Sequence, residues 1–466
     1  MIHSFGSIAP LARTATVLLL AASALPFAPC DAASLTYKTR VVGDASQAPL
    51  APFVFAEYSN GLRAIVRETR GTPVATVDIW VYTGAANEEP PVGGISHFFE
   101  HMFFKGTERY GLGEMDKVIK RLGGRNNAST SLETTHYFAT VPSESVATAI
   151  DVVTDGILHS IFDPAEVDRE RLVIKEEIRR KEDTPASKVW VLFQRVLAPE
   201  LPYSRPVLGT FESLDRVDHD AFVAYLRFHY VPRNMVVVVA GDVAVQPVLD
   251  RIAERFADVP DLPPPAQPEF ELPPVEEARV IDEVKDTRQS YFMAGYPTRG
   301  RRGLEDLAVL DVASAIFAGG QSSRLHRALV EEQGLLTSVS ASHYPLRNGG
   351  AFTVYGEGPP ENSPAARAAV VEEFERLATS LPSKEELARA RSFAASEWTL
   401  GNETTSAITG TLGRNELFYG AERALRYETE IAAVTPADVQ RVLRRIVKPG
   451  RYLMAVIEPS QPKEAP

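Results

Sequence analysis

Residues 93–107 read GGISHFFEHMFFKGT and contain His97, Glu100 and His101. On a helix, residues four apart project about 40° from one another, so His97 and His101 share a face and can hold one metal ion. Glu100 falls about 60° to the other side of His97, within reach of a water on that ion without being a ligand. Ile95, Phe98, Phe99, Met102, Phe103 and Phe104 make the rest of the segment apolar nearly all round, which marks a buried helix. Three ionisable groups there are costly unless something pairs them, and a divalent cation is the simplest partner.

A catalytic zinc site takes three protein ligands and leaves one position to water. Residues 164–182, PAEVDRERLVIKEEIRRKE, predict a second helix, with Asp163 as N-cap and Pro164 in its first turn. Glu170, Ile174, Glu177, Val167 and Ile178 project onto one arc, with Lys175, Glu176, Arg179 and Glu182 opposite. Glu170 and Glu177 both lie in the buried arc, but a glutamate at its boundary would project alike. Neutral imidazoles plus a carboxylate suit Zn2+, one ion per chain.

The chain is long enough for two or three domains: 466 residues, 44% hydrophobic and 24% charged. Its net charge of -12 argues against a nucleic-acid partner. Arg13 precedes an apolar run, Ala15 to Ala28, followed by Ala32 and Ala33. That layout predicts a signal peptide over residues 1–33, too short for a membrane span and absent from the mature chain. The single cysteine, Cys30, follows Pro29, a poor neighbour for lipidation. Export without disulfides points to a bacterial periplasm and excludes a cysteine-ligated metal.

Residues 260–274 hold seven prolines and read as an extended linker between domains at 34–259 and 275–466. The halves look like degenerate copies. Residues 215–243 and 432–459 each read as amphipathic helix, Pro-containing turn and apolar strand, and each half has an early apolar strand, Val77–Tyr82 and Ser290–Tyr296. Asn60-Gly61 between strand-like runs predicts a hairpin, and Val146, Ile150, Val153 and Ile157 a helix. Hairpins mixed with helices favour α+β: two duplicated domains, each a mainly antiparallel sheet packed with helices.

H-x-x-E-H is the inverzincin order. With HFFEHMFFKGTERY (97–110), GGRNNASTSLETTHYFATVP (123–142) and FAGGQSSRL (317–325), the chain resembles pitrilysin-type zinc metallopeptidases over about residues 50–460. The resemblance is to the short bacterial branch related to mitochondrial processing peptidase. It implies that the third ligand follows the second histidine by about seventy-five residues, which selects Glu177 and leaves Glu176 a poor alternative. It also implies that Glu170 supports the ligands, that Asn127 and Ala128 on an edge strand bind the substrate backbone, and that Glu100 is the catalytic base. The implied substrate is a peptide or unfolded polypeptide, cleaved in a chamber between two paired chains.

The sequence departs from the family at one place. Active relatives carry an arginine and a tyrosine seven residues apart in the second domain, where VEEQGLLTSVSA (330–341) places Val330 and Thr337. Neither can donate to an oxyanion as those groups would. Arg324 resembles a structural position in its S-S-R-L turn, and His136 is read as structurally satisfied. In some relatives a sister chain supplies the Arg/Tyr pair, so the expectation is a heterodimer with this chain as its zinc-bearing subunit. A non-catalytic scaffold or assembly subunit is the alternative.

Overall fold

The computed structural model describes residues 35–460, and the signal-peptide and Cys30 expectations lie outside the described residues. The chain is α+β, with two sheets flanked by helices. The first has seven strands: β1 (Tyr37–Val42), β2 (Phe53–Tyr58), β3 (Arg63–Glu68), β4 (Val74–Val81), β5 (Arg125–Thr130), β6 (Thr135–Pro142) and β7 (Met235–Gly241), in spatial order β1-β2-β3-β7-β4-β6-β5. The second has five: β8 (Arg279–Lys285), β9 (Ser290–Thr298), β10 (Ser338–Leu346), β11 (Gly349–Gly358) and β12 (Leu453–Pro459), in order β10-β11-β9-β12-β8.

Read from one end, β3-β7-β4-β6-β5 and β8-β12-β9-β11-β10 are the same arrangement. Each sheet has one parallel pair, β3 with β7 and β12 with β8, and is otherwise antiparallel. The repeat seen in the sequence is thus a repeat of topology. The Asn60-Gly61 hairpin joins β2 to β3, with Gly61 at φ +79°.

The first half packs its own helices on one face of its sheet. Phe98, Phe99, Ile150, Ile157, Val167 and Ile174 meet Val77, Ile79, Val237 and Val239 there. The opposite face is covered from the second half: Ile408 and Leu412 of the helix Thr405–Phe418 pack on Phe53, Ile65, Trp80, Val236 and Val238. The exchange is mutual. Val189, Leu192, Phe193 and Leu197 of the helix Pro185–Leu197 pack on Ala351, Leu453, Ala455 and Ile457 of the second sheet. Both faces of β7 are therefore dry, which explains the unbroken apolar run MVVVVAG. Residues 260–274 carry neither helix nor strand. They separate the two sheets along the sequence but not in the packing.

A buried ion pair also joins the halves. Arg301 contacts Glu133, both side chains being 7% exposed, and its guanidinium lies 3.3 Å from the centroid of the Phe418 ring. Glu133 Oε1 also accepts from Tyr203 Oη at 2.6 Å and from the Arg347 amide at 2.9 Å. Removing one member of such a pair strands a charge in low dielectric. Arg301→Ala is expected to cost about 3–5 kcal/mol in urea unfolding, and the double change Arg301→Met with Glu133→Gln markedly less.

Candidate metal centre

The histidine pair sits on the motif helix, Ile95–Met102, which is sunk in the first core: Phe98 and Phe99 are fully buried. Phe103 and Phe104 follow the helix rather than belonging to it. The acidic helix, Pro164–Glu182, runs alongside, started by Asp163, whose carboxylate accepts from the amides of Ala165 and Glu166. Ile174 is fully buried between Glu170 and Glu177, which fixes the rotation of this helix and turns both carboxylates toward the histidines.

Glu177 Oε2 lies 3.7 Å from His97 Nε2 and 3.5 Å from His101 Nε2. The three donors all lie within 4.8 Å of one another. Two donors bonded to one ion at about 2.1 Å in tetrahedral geometry are about 3.4 Å apart, so this spacing fits a shared ion better than direct hydrogen bonds. Glu170 Oε2 is 3.0 Å from His101 Nδ1, and Lys105 Nζ is 2.5 Å from Glu170 Oε1. With its Nδ1–H donated to Glu170, His101 keeps Nε2 for a metal. Lys181 Nζ, 3.2 Å from Glu177 Oε1, occupies the oxygen that faces away from the rings. Glu176 is exposed and engages Arg179 instead.

The electrostatics suit a cation. Burial, and then the neighbouring His101 charge, push His97 down to about 4, so its ring is neutral. Burial alone would lower His101 too, but Glu170 and Glu177 outweigh it and raise it to about 9. The close approach of His101, against the opposing effect of burial, holds Glu177 down at about 2. At neutral pH the two rings therefore differ, His97 held toward its neutral form and His101 toward its protonated one. The donor set, two imidazoles and a carboxylate, is one that zinc accepts.

Glu100 lies outside the three-donor cluster, as the projection requires of a group that is not a ligand. Its Oε2 accepts from Thr130 Oγ1 at 2.6 Å. Burial raises the Glu100 carboxyl above its ordinary range, while the Thr130 hydrogen bond and the His101 charge pull the other way. Thr130 ends β5, an edge strand of the first sheet, which among the described residues pairs with β6 alone. Asn127 and Ala128 sit on this edge strand; Asn127 is exposed and Ala128 packs into the core. One short strand therefore carries both the open backbone edge and the residue that holds Glu100. Sequence reading missed Thr130, Lys105 and Lys181. A cavity of about 760 Å³ opens at the C-terminal end of the acidic helix, lined by Ile178, Lys181, Trp190, Val207 and Phe211.

The remaining expected residues are placed plainly. Arg324 is held by Glu373 and Glu386 at 2.9 and 2.7 Å, a structural pairing. His136 Nδ1 lies 3.0 Å from Asp78 Oδ1 and its ring stacks on Trp80. Val330 packs against the second core, in a π-helical turn (His326–Glu332), and Thr337 Oγ1 donates to the Glu357 carbonyl at 3.0 Å. Val330 has no polar side-chain atom, and the Thr337 hydroxyl is engaged by its neighbouring strand.

Residues 63–210 match the family model described as insulinase (peptidase family M16), and residues 216–393 the one described as peptidase M16 inactive domain. An uncharacterised zinc protease of Streptomyces coelicolor is 31% identical over 411 residues, 87% of this chain and 89% of that protein. Another, YmxG of Bacillus subtilis, is 30% identical over 408 residues, 86% of this chain and 97% of that protein. A protease from Helicobacter pylori has a similar fold, with a TM-score of 0.82 at 24% identity, over 88% of this chain and all of that one. The pitrilysin-type resemblance is thereby confirmed, and the chain belongs to peptidase family M16.

Proposed function

We propose that this chain is a zinc-dependent endopeptidase that cleaves peptides or unfolded polypeptide segments. The observation that carries the reading is the convergence of His97, His101 and Glu177 from two helices, with Glu100 beside but outside the cluster. Zinc held by these three residues would acidify a water and polarise the scissile carbonyl. Glu100 accepts the proton of the attacking water and returns it to the leaving amine, a role suited to a carboxyl raised by burial. Thr130 fixes its rotamer. Glu170 sets the tautomer of His101, and the β5 edge at Asn127-Ala128 takes the peptide as an added strand, which tolerates varied sequence.

The same reading places the chain in the periplasm, supported by the apolar run near the N-terminus, and pairs it with a sister subunit that supplies the donors missing at Val330 and Thr337. Among the described residues no helix is long and apolar enough to cross a membrane. Those missing donors also favour the second reading, a non-catalytic scaffold or assembly subunit, as does the match of residues 216–393 to the M16 inactive domain.

The deciding experiment is hydrolysis of an internally quenched peptide by the full chain with zinc, before and after Glu100→Gln. The variant is expected to keep its zinc and lose about 100-fold or more in rate; undiminished cleavage would sink the assignment of Glu100 as the base, and no zinc-dependent cleavage even with a sister subunit present would sink the hydrolytic reading. Full activity from the chain alone would remove the need for a sister subunit. Thr130→Val is expected to lower kcat about 10- to 100-fold with zinc retained, and Thr130→Ser to restore most of it.

Zinc uptake should depend on pH with a definite sign. Metal-free His101, raised to about 9, is protonated at neutral pH and must lose that proton to ligate. Competition titrations are expected to show zinc affinity rising about tenfold per pH unit from neutrality until near that value. A flat profile between pH 7 and 8.5 would contradict this assignment.

A further inference from the structure

The motif helix cannot cap itself. It begins at Gly94, whose φ is +91°, and a Cβ there would lie 2.6 Å from the Leu208 carbonyl oxygen and 2.8 Å from Gly209 backbone atoms. Serine, threonine or aspartate, the side chains that ordinarily satisfy the first helical amides, are therefore barred from the N-cap. Glu88 takes over from a distance. Its Oε2 accepts from the Gly94 amide at 2.6 Å and its Oε1 from the Ser96 amide at 2.8 Å.

Glu88 is only 5% exposed. Its own carbonyl accepts from Arg205 Nη1 at 2.6 Å, which ties it to the loop that blocks Gly94. The Ser96 hydroxyl lies 2.7 Å from Tyr225 Oη, itself 3.1 Å from Thr83 Oγ1. A carboxylate in such a place is costly to desolvate, and a helix of eight residues is a small return for it in stability alone. What the arrangement does secure is phase. The carboxylate grips the amides of residues 94 and 96, and the next residue is His97.

Resting on the metal-centre reading above, we propose that Glu88 is a positioning residue for that centre: its two-oxygen grip on the first amides of the motif helix sets the rotation at which His97 meets His101 and Glu177. It touches neither metal nor substrate and acts through the helix. A displacement of His97 of a few tenths of an ångström spoils a shared coordination sphere while leaving the fold intact, so metal affinity should be more sensitive to this residue than stability is.

The test is zinc affinity of the full-length metal-free protein, measured by competition with a chromogenic chelator at fixed pH alongside the thermal midpoint. Glu88→Gln keeps one acceptor and sets an N–H against an amide; its zinc Kd is expected to rise about 10- to 100-fold. Tyr225→Phe is the control, since it loosens the Ser96 hydroxyl but leaves both amides gripped; a lowered midpoint with zinc Kd within about threefold of the parent is expected. A Glu88→Gln protein with a lowered midpoint and parental zinc affinity would overturn the proposal, the carboxylate then serving stability only. Should Glu88→Gln not fold, Glu88→Asp carries the test: one methylene shorter, it reaches a single amide, and parental affinity there would overturn the proposal equally. Failure of the parent protein itself to bind zinc is a different result, which sinks the metal-centre reading and this inference with it.

Discussion

Everything at the metal centre depends on one packed contact, the acidic helix lying along the motif helix with Ile174 sealed in the core. That residue is apolar and has one rotational setting in which it is dry. In that setting Glu170 and Glu177, one turn to either side, turn inward together. The two carboxylates then divide the work by depth. Glu170 meets the Nδ1 side of His101 and Lys105, and Glu177 meets the Nε2 atoms of both rings. Hydrophobic burial, which has no direction of its own, is converted into a directed polar cluster by the 3.6-residue repeat of the helix.

Much of this was legible in the sequence because it is local. The spacing of His97, Glu100 and His101, the Asp163-Pro164 start and the projection of Glu170 and Glu177 all follow from positions within a single helix. The hairpin at Asn60-Gly61 and the repeated helix–turn–strand units are local too, and β7 and β12 occupy matching places in their sheets. Choosing Glu177 as the third ligand was different: projection left Glu170 equally placed, and only the family resemblance separated them before the distances did.

What the sequence hid is what distant segments do to each other. Thr130 reads as one more strand threonine until β5 brings it 2.6 Å from Glu100. Glu88 reads as a loop acid before two prolines, with nothing to say that it turns back onto the helix six residues on. The exchange of helices across the two sheets is invisible for the same reason: Thr405–Phe418 carries only a weak apolar stripe, and nothing in it says which sheet it covers. A proline-rich segment marks where the chain passes from one sheet to the other, but the packing is decided by which apolar face is left open, and each half leaves open one that the other fills.

That exchange bears on the missing donors. Since each sheet is completed by the other half, the second half is indispensable to the first even if it performs no chemistry: Ile408 and Leu412 cover the face of the sheet opposite the motif helix, and Arg301 closes on Glu133. Val330 and Thr337 belong to that structural role: Val330 is part of the apolar packing and Thr337 a partner of its neighbouring strand. The members of the histidine–glutamate cluster stand differently. His97 and Glu170 lie largely inside the core, where losing one member strands the others without a partner. Here all of its members are in place, brought together by two helices of the first half whose sheet the second half completes.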